Sequence, residues 1–267
     1  MRFPRIFWPE RVMTMSNYIF YPINSSPVLR SASEALKSRG YGVVGCPCES
    51  VTHFLLPVPS FDDQGNVKGG GDPEKILGRL PGSVTIVGGN IPASRFPGYR
   101  VVDLLQDSTY LAANASITAY CALGLAMAEL PVVLRGCKAL ILGWGRIGRC
   151  LAALLWALEA DVTIGARKET DRAMAEALGY RAVEPESLGR DLNEYRLIFN
   201  TAPAPVLSKE QCAHCRENCL KIDLASVQGI DGEHVIRARG LPGKHAPESS
   251  GKLIARSVIR LLGKEKL

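Results

Sequence analysis

The sequence lacks several things, and each absence removes a class. No uninterrupted apolar run reaches the roughly 18 residues that a membrane-spanning helix needs. No block of five like charges occurs, so neither a basic arm for nucleic acid nor an acidic tail is present. Low-complexity tracts and internal repeats beyond an α/β rhythm are also missing. The opening MRFPRIFWPERVMTMSNYIF carries Arg2, Arg5 and Arg11 but no apolar core long enough for a signal peptide. The expected location is therefore cytoplasmic, and residues 1–14, ahead of Met15 and the first strand, read as a loose extension.

What is present is a chain of 267 residues, 46% hydrophobic and 22% charged, enough to bury a substantial core. The net charge of +6 is spread along the chain. Such a mild basic tilt suits a small acidic substrate or a phosphorylated cofactor. The eight cysteines, without an export signal, are expected as reduced thiols. Cys212-Ala-His-Cys215-Arg-Glu-Asn-Cys219 resembles a metal-binding run, but its spacing fits one buried face of a helix. Structural zinc draws ligand pairs from two segments, so no metal is expected. Cys46-Pro-Cys48 reads as packing at a strand end.

YIFYPI (18–23), YGVVGC, VTHFLLPVPS (51–60), SVTIVGG (83–89) and YRVVDLL (99–105) read as strands. Ser25, Pro27 and Gly40 punctuate a helix over 25–40, and FDDQGNVKGGGDPE (61–74) reads as a loop. Residues 108–130 form a long apolar helix able to bridge two domains. A second α/β alternation follows, and an amphipathic helix closes the chain over 251–267. The expected boundaries are 1–110, 111–250 and a final helix, 251–267, packing back toward the first domain.

LILGWGRIGRC (140–150) places G-x-G-x-x-G between an apolar strand and a helix, the context a dinucleotide loop requires. Gly143 would make the turn, Gly145 would let the backbone approach a pyrophosphate, and Gly148 would let helix pack on strand. Trp144, Arg146 and Ile147 complete the loop. The next strand ends Gly165-Ala166-Arg167-Lys168, where NAD binders usually place an acid. Two cations there favour the 2′-phosphate of NADP, with Arg167 as a forked donor. A further strand ends Asn200-Thr201-Ala202-Pro203, small residues that can wall a nicotinamide. KIDLAS (221–226) brings Asp223 and Ser226 to the same edge. Asp223 reads equally as a site residue or as a carboxylate satisfied by backbone donors.

These segments, with GLPGKHAPESSGKLI after them, occur in the order found in the A-subunit family of dipicolinate synthases, which the chain resembles over about residues 108–265. The resemblance implies two α/β domains joined by long helices: a smaller flavodoxin-like N-terminal domain and a Rossmann domain with a doubly wound parallel sheet. It implies NADP-dependent oxidation of dihydrodipicolinate, a branch from the lysine pathway, to the dipicolinate of bacterial spores. A flavoprotein-like B subunit is the family's usual partner, and a homo-oligomer is expected. The substrate would lie between the domains, near Pro57 and Ser60, Asn114 and Thr118, and Leu241, Pro242 and Gly243. Lys244 would hold a substrate carboxylate, and His245 could act as base. The chain departs from the family where Tyr120 and Cys121 replace Glu and Gly, and where Ser249-Ser250 replace Thr-Ala. Two alternatives stay open. A D-2-hydroxyacid dehydrogenase would need an Arg just after KIDLAS, where the chain has Ser226-Val227-Gln228. A non-catalytic NADP-binding subunit would need only the loop.

Overall fold

The computed structural model describes residues 17–264, so the expected extension over 1–14 lies outside the described residues. The chain divides into two compact units, one running to Asp107 and resuming at Gly251, the other spanning Ser108–Ser250.

The first unit holds β1 (Ile19–Pro22), α1 (Pro27–Lys37), β2 (Gly42–Val43), β3 (His53–Leu55), α2 (Pro73–Leu77), β4 (Thr85–Gly88) and β5 (Arg100–Asp103). Its five strands are all parallel in the order β2-β1-β3-β4-β5, the flavodoxin-like arrangement. Parallel strands are covered on both faces, which is why β3 and β4 are buried at every position. Pro27 opens α1, whose Leu29, Ala32 and Leu36 form the buried stripe. The loop expected over 61–74 contains a bridge between Phe61 and Val67, and α2 begins within it. Asp72 caps that helix by accepting from the Lys75 N–H at 3.0 Å. This Asp-Pro start is a helix signal short enough to pass for a turn. The closing helix α8 (Pro247–Lys264) meets α1 at Gly251, where a Cβ would stand 2.4 Å from the Val28 carbonyl.

The second unit begins with α3 (Ser108–Glu129). It continues through β6 (Lys138–Leu142), α4 (Arg146–Ala157), β7 (Asp161–Gly165), α5 (Glu169–Ala177) and β8 (Arg181–Val183). β9 (Leu197–Asn200), α6 (Lys209–Cys212), β10 (Leu220–Asp223), β11 (Val235–Arg237) and α7 (Leu241–His245) complete it. The six strands run parallel in the order β8-β7-β6-β9-β10-β11, the doubly wound order of dinucleotide-binding sheets. Ala139, Ile141, Phe199 and Ile222 pack toward Leu151 and Leu155 of α4, while Leu140, Leu142 and Ile198 pack on the other side against Leu192 and Leu207. The helix α3 is long and apolar enough to cross a membrane by length and composition. Here Ala119, Ala122, Leu123 and Ala126 bury its apolar surface in the same cluster as α4.

One local expectation fails. The cysteine run is not one helix: α6 stops at Cys212, and two successive turns carry the chain to β10. Leu241–His245 forms the short helix α7 with Pro242 in its first turn.

Candidate functional site

The edge of the sheet at the carboxyl end of β6 is built from three glycines that each do a different job. Gly143 has φ +104°, and a Cβ there would stand 2.7 Å from the Thr201 hydroxyl. At Gly148 a Cβ would stand 2.2 Å from the Gly143 carbonyl, so only a bare backbone lets α4 approach the strand. Around Gly145 there is nothing within 4 Å of the Cβ position. Gly145 is also the N-cap of α4, and no side chain caps that helix. The first-turn N–H groups and the positive end of the helix dipole thus face open space, the condition for seating a pyrophosphate.

The other loop residues divide by side chain. Trp144 is buried against the edge of Tyr180, ring centroids 5.7 Å apart, and the Arg149 guanidinium lies 5.6 Å over it. Arg149 Nε also donates to the Trp144 carbonyl at 3.1 Å. Trp144 and Ile147 therefore serve the core with their side chains and leave only backbone to the loop. Arg146 is exposed in the first turn of α4.

At the end of β7, Arg172 donates to the carbonyls of Ala166 and Arg167 at 2.8 and 2.7 Å, fixing the turn that carries Arg167. Arg167 lines a cleft of about 610 Å³ together with Pro185, Glu186, Pro205, Val206, Gln211 and Asp231. No hydrogen bond or ion pair engages its side chain among the described residues. Lys168 is exposed as the N-cap of α5 and is not part of that lining. The paired cations of the sequence thus separate, with only Arg167 facing the cleft. Pro185, Pro205, Val206 and Gln211 escaped the sequence reading. The proline-rich run Ala202–Leu207 was a signal for Pro205 and Val206 alone.

Asn200, expected to wall the cofactor, and Asp223, expected either as a site residue or as a carboxylate satisfied by backbone donors, are both fully buried. Asn200 Nδ2 donates to Asp223 at 2.9 Å, and Asp223 also accepts from the N–H groups of Ala225, Gly229 and Ile230 at 3.1, 2.9 and 3.4 Å. Arg237 pairs with the same carboxylate at 3.4 Å. A carboxylate with that many partners is a structural anchor that positions the turns after β9 and β10. Thr201 donates to the carbonyls of Leu142 and Gly143 at 3.1 and 3.3 Å, tying its turn to the glycine loop. Ala202 and Pro203 remain at the surface of that turn, and Ser226 is exposed.

The residues expected near substrate also divide. In the first unit, Pro57 and Ser60 are buried. The Ser60 hydroxyl donates to the Pro57 carbonyl at 2.8 Å and accepts from the Gly89 N–H at 3.0 Å. In the second, Thr118 donates to the Asn114 carbonyl at 2.8 Å. Leu241 is buried, Pro242 half-buried, and Gly243, Lys244 and His245 are exposed at the end of α7. Tyr120 is exposed, and burial pushes the neighbouring Cys121 thiol up.

No protein-family model matches the chain. A curated relative, the dipicolinate synthase A-type subunit of Bacillus subtilis (strain 168), is 26% identical over 247 residues, covering 83% of this chain and 82% of that one. The chain is thus similar in sequence to an A-type subunit of dipicolinate synthase. The crystal structure of the A-type subunit from Bacillus halodurans superposes with a TM-score of 0.81 at 20% identity, over 94% of this chain and 99% of the other. The one from Bacillus subtilis gives 0.78 at 21% identity, over 93% and 97%. A transhydrogenase from Sinorhizobium meliloti gives 0.71 at 14% identity, over 93% and 94%. What this chain shares with them is the fold, two α/β units each built on a parallel sheet.

Proposed function

We propose that this chain is an NADP-dependent oxidoreductase that converts dihydrodipicolinate to dipicolinate. One observation carries the cofactor choice: at the end of β7, where NAD binders usually place an acid, the chain has Arg167, and Arg167 lines the cleft, whose acids Glu186 and Asp231 come from other segments. A carboxylate at the end of β7 would bond a ribose 2′-OH and repel a 2′-phosphate, whereas a guanidinium attracts the phosphate and donates to it. The backbone of Gly143–Gly148 would hold the pyrophosphate, and Pro205 and Val206 offer apolar surface on the adenosine side. Ala202 and Pro203 would flank the nicotinamide, with Asn200 and Asp223 positioning their turn. A bound nicotinamide supplies the hydride acceptor.

The substrate class rests on the kinship to the A-type subunits of dipicolinate synthase. Removing a hydride from one ring carbon and a proton from its neighbour leaves an aromatic ring, so the protein's main task is orientation. Lys244 is the cation offered to a substrate carboxylate, and His245 beside it is the group offered to the proton. The relative's designation as the A-type component supports a second, B-type subunit as partner.

Calorimetry with NADP and NAD, on the chain and on Arg167→Ala, tests the cofactor assignment. NADP is expected to bind more tightly, and Arg167→Ala to lose about 10- to 100-fold of that affinity with little change toward NAD. Equal affinities would overturn it. Absorbance at the reduced-nicotinamide band with dihydrodipicolinate then tests the reaction. Tight NADP binding without turnover would make the chain a nucleotide-binding subunit without its own chemistry.

A further inference from the structure

The start of α4 carries a charge pattern at odds with its own dipole. Arg146 and Arg149 stand there, and the first turn holds no acid. The positive end of a helix favours anions, so two cations suit it only when an anion joins them. Arg149 is also tied to the glycine loop twice over. Its backbone N–H donates to the Gly145 carbonyl at 3.0 Å, and its Nε donates to the Trp144 carbonyl at 3.1 Å. One residue thus draws back two successive carbonyls. Its guanidinium lies 5.6 Å over the Trp144 indole, which is buried and packed edge-on against Tyr180. Among the described residues no other group bonds the Trp144 carbonyl, and the Gly145 N–H has no hydrogen-bond partner.

We propose that Arg149 is a positioning residue for the dinucleotide: it holds the Trp144–Gly145 peptide with its carbonyl turned back and its N–H turned out. In a planar trans peptide the C=O and the following N–H point in opposite directions. Holding the Trp144 oxygen on Arg149 therefore presents the Gly145 N–H on the other side, in a loop that is open around Gly145. Gly145 now sits at φ −78°. As a glycine it would accept the turned-over peptide, with φ positive, at little cost. The residue that lets a phosphate come close thus also lets the peptide swing its oxygen, the negative end of its dipole, toward that phosphate. Arg149 Nε is the hook that prevents this, and the buried indole under the guanidinium keeps the hook in place. The role follows from the reading that the α4 N-terminus seats a pyrophosphate, and it holds for NADP and NAD alike.

Two substitutions separate the hook from the charge. Arg149→Gln keeps an N–H donor as many bonds from the backbone as Nε and removes the charge. Arg149→Met keeps the length and removes both. Calorimetry with NADP and with NAD on the full chain reads each variant. Arg149→Met is expected to lose about 10-fold in affinity for both nucleotides, so their ratio stands, whereas Arg167→Ala changes the ratio. Arg149→Gln is expected to stay within about 3-fold of the unmutated chain. Without nucleotide the melting temperature should barely move, because a lost hydrogen bond and a cation removed from the helix start act in opposite directions. Unchanged binding in Arg149→Met would overturn the proposal. So would a loss confined to NADP, Arg149→Gln as weak as Arg149→Met, or a melting temperature that falls in step with affinity. A chain that binds neither nucleotide brings down the pyrophosphate reading as well. If Arg149→Met does not fold, Arg149→Gln decides by itself: affinity kept within about 3-fold upholds the hook, and a loss of about 10-fold removes it.

Discussion

A single methyl group separates two roles within the glycine loop. Gly148→Ala would press a Cβ to within 2.2 Å of a backbone carbonyl that has no room to move. Overpacking of that kind costs about 1–3 kcal/mol or more, visible as a lower melting temperature. Gly145→Ala adds its methyl to open space at φ −78°, so the fold should hold to within about 1 kcal/mol while dinucleotide affinity falls at least about 10-fold. Thermal unfolding and calorimetry on both variants separate the two, and equal destabilisation would refute the division. His53 makes a second prediction at this scale. Burial, and then the Arg100 charge, hold its imidazole down to about 4. The folded chain thus keeps it neutral while the unfolded chain takes up a proton below about pH 6.5. Stability attributable to His53 is present above that pH and is lost as pH falls toward 4, by up to about 3 kcal/mol. Urea midpoints at pH 7 and 4.5 should show a smaller drop for His53→Leu than for the unmutated chain.

Between residues and the whole lie the turns that β-strand ends impose on one another. Asp223 gathers Asn200, three backbone N–H groups and Arg237. Asp223→Ala strands those donors and should cost about 3 kcal/mol, since a buried group left without its partner loses the full desolvation penalty. Arg172 works the same way on the turn after β7. Arg172→Met should weaken NADP binding by about 3- to 10-fold, less than Arg167→Ala, and also lower the melting temperature by several degrees, because hydrogen bonds from a charged group are worth about 1.5–3 kcal/mol. The elements that sequence spacing did not resolve share a cause. α2 and α7 span five residues each, too short for a 3.6-residue period to register. The cysteine run has helical spacing, but its chain turns twice to enter β10. Spacing reports which residues can share a face, whereas the neighbouring strand decides where the helix stops.

For the molecule as a whole, two parallel sheets follow from a strand–helix alternation that is plain in the sequence, because parallel neighbours need a crossover between them. Saturating NADP, at about 100 times its dissociation constant, should stabilise the nucleotide-binding unit by about 2.7 kcal/mol. Hydrogen exchange should then slow at 143–149 and 166–168. Protection that bypasses both segments would refute this placement of the cofactor.

Local chemistry was readable from the order of residues: three glycines at fixed spacing, a strand ending in Arg instead of an acid, and apolar periods that name strands and long helices. Those signals are legible because each depends on residues close along the chain. Folding in three dimensions had to settle that Arg167 faces the cleft while Lys168 does not, and that Asp223 and Asn200 satisfy each other in the interior. Each of these depends on which strand ends up beside which, and hydrogen bonds and charges act across distances in space that spacing along the chain does not encode.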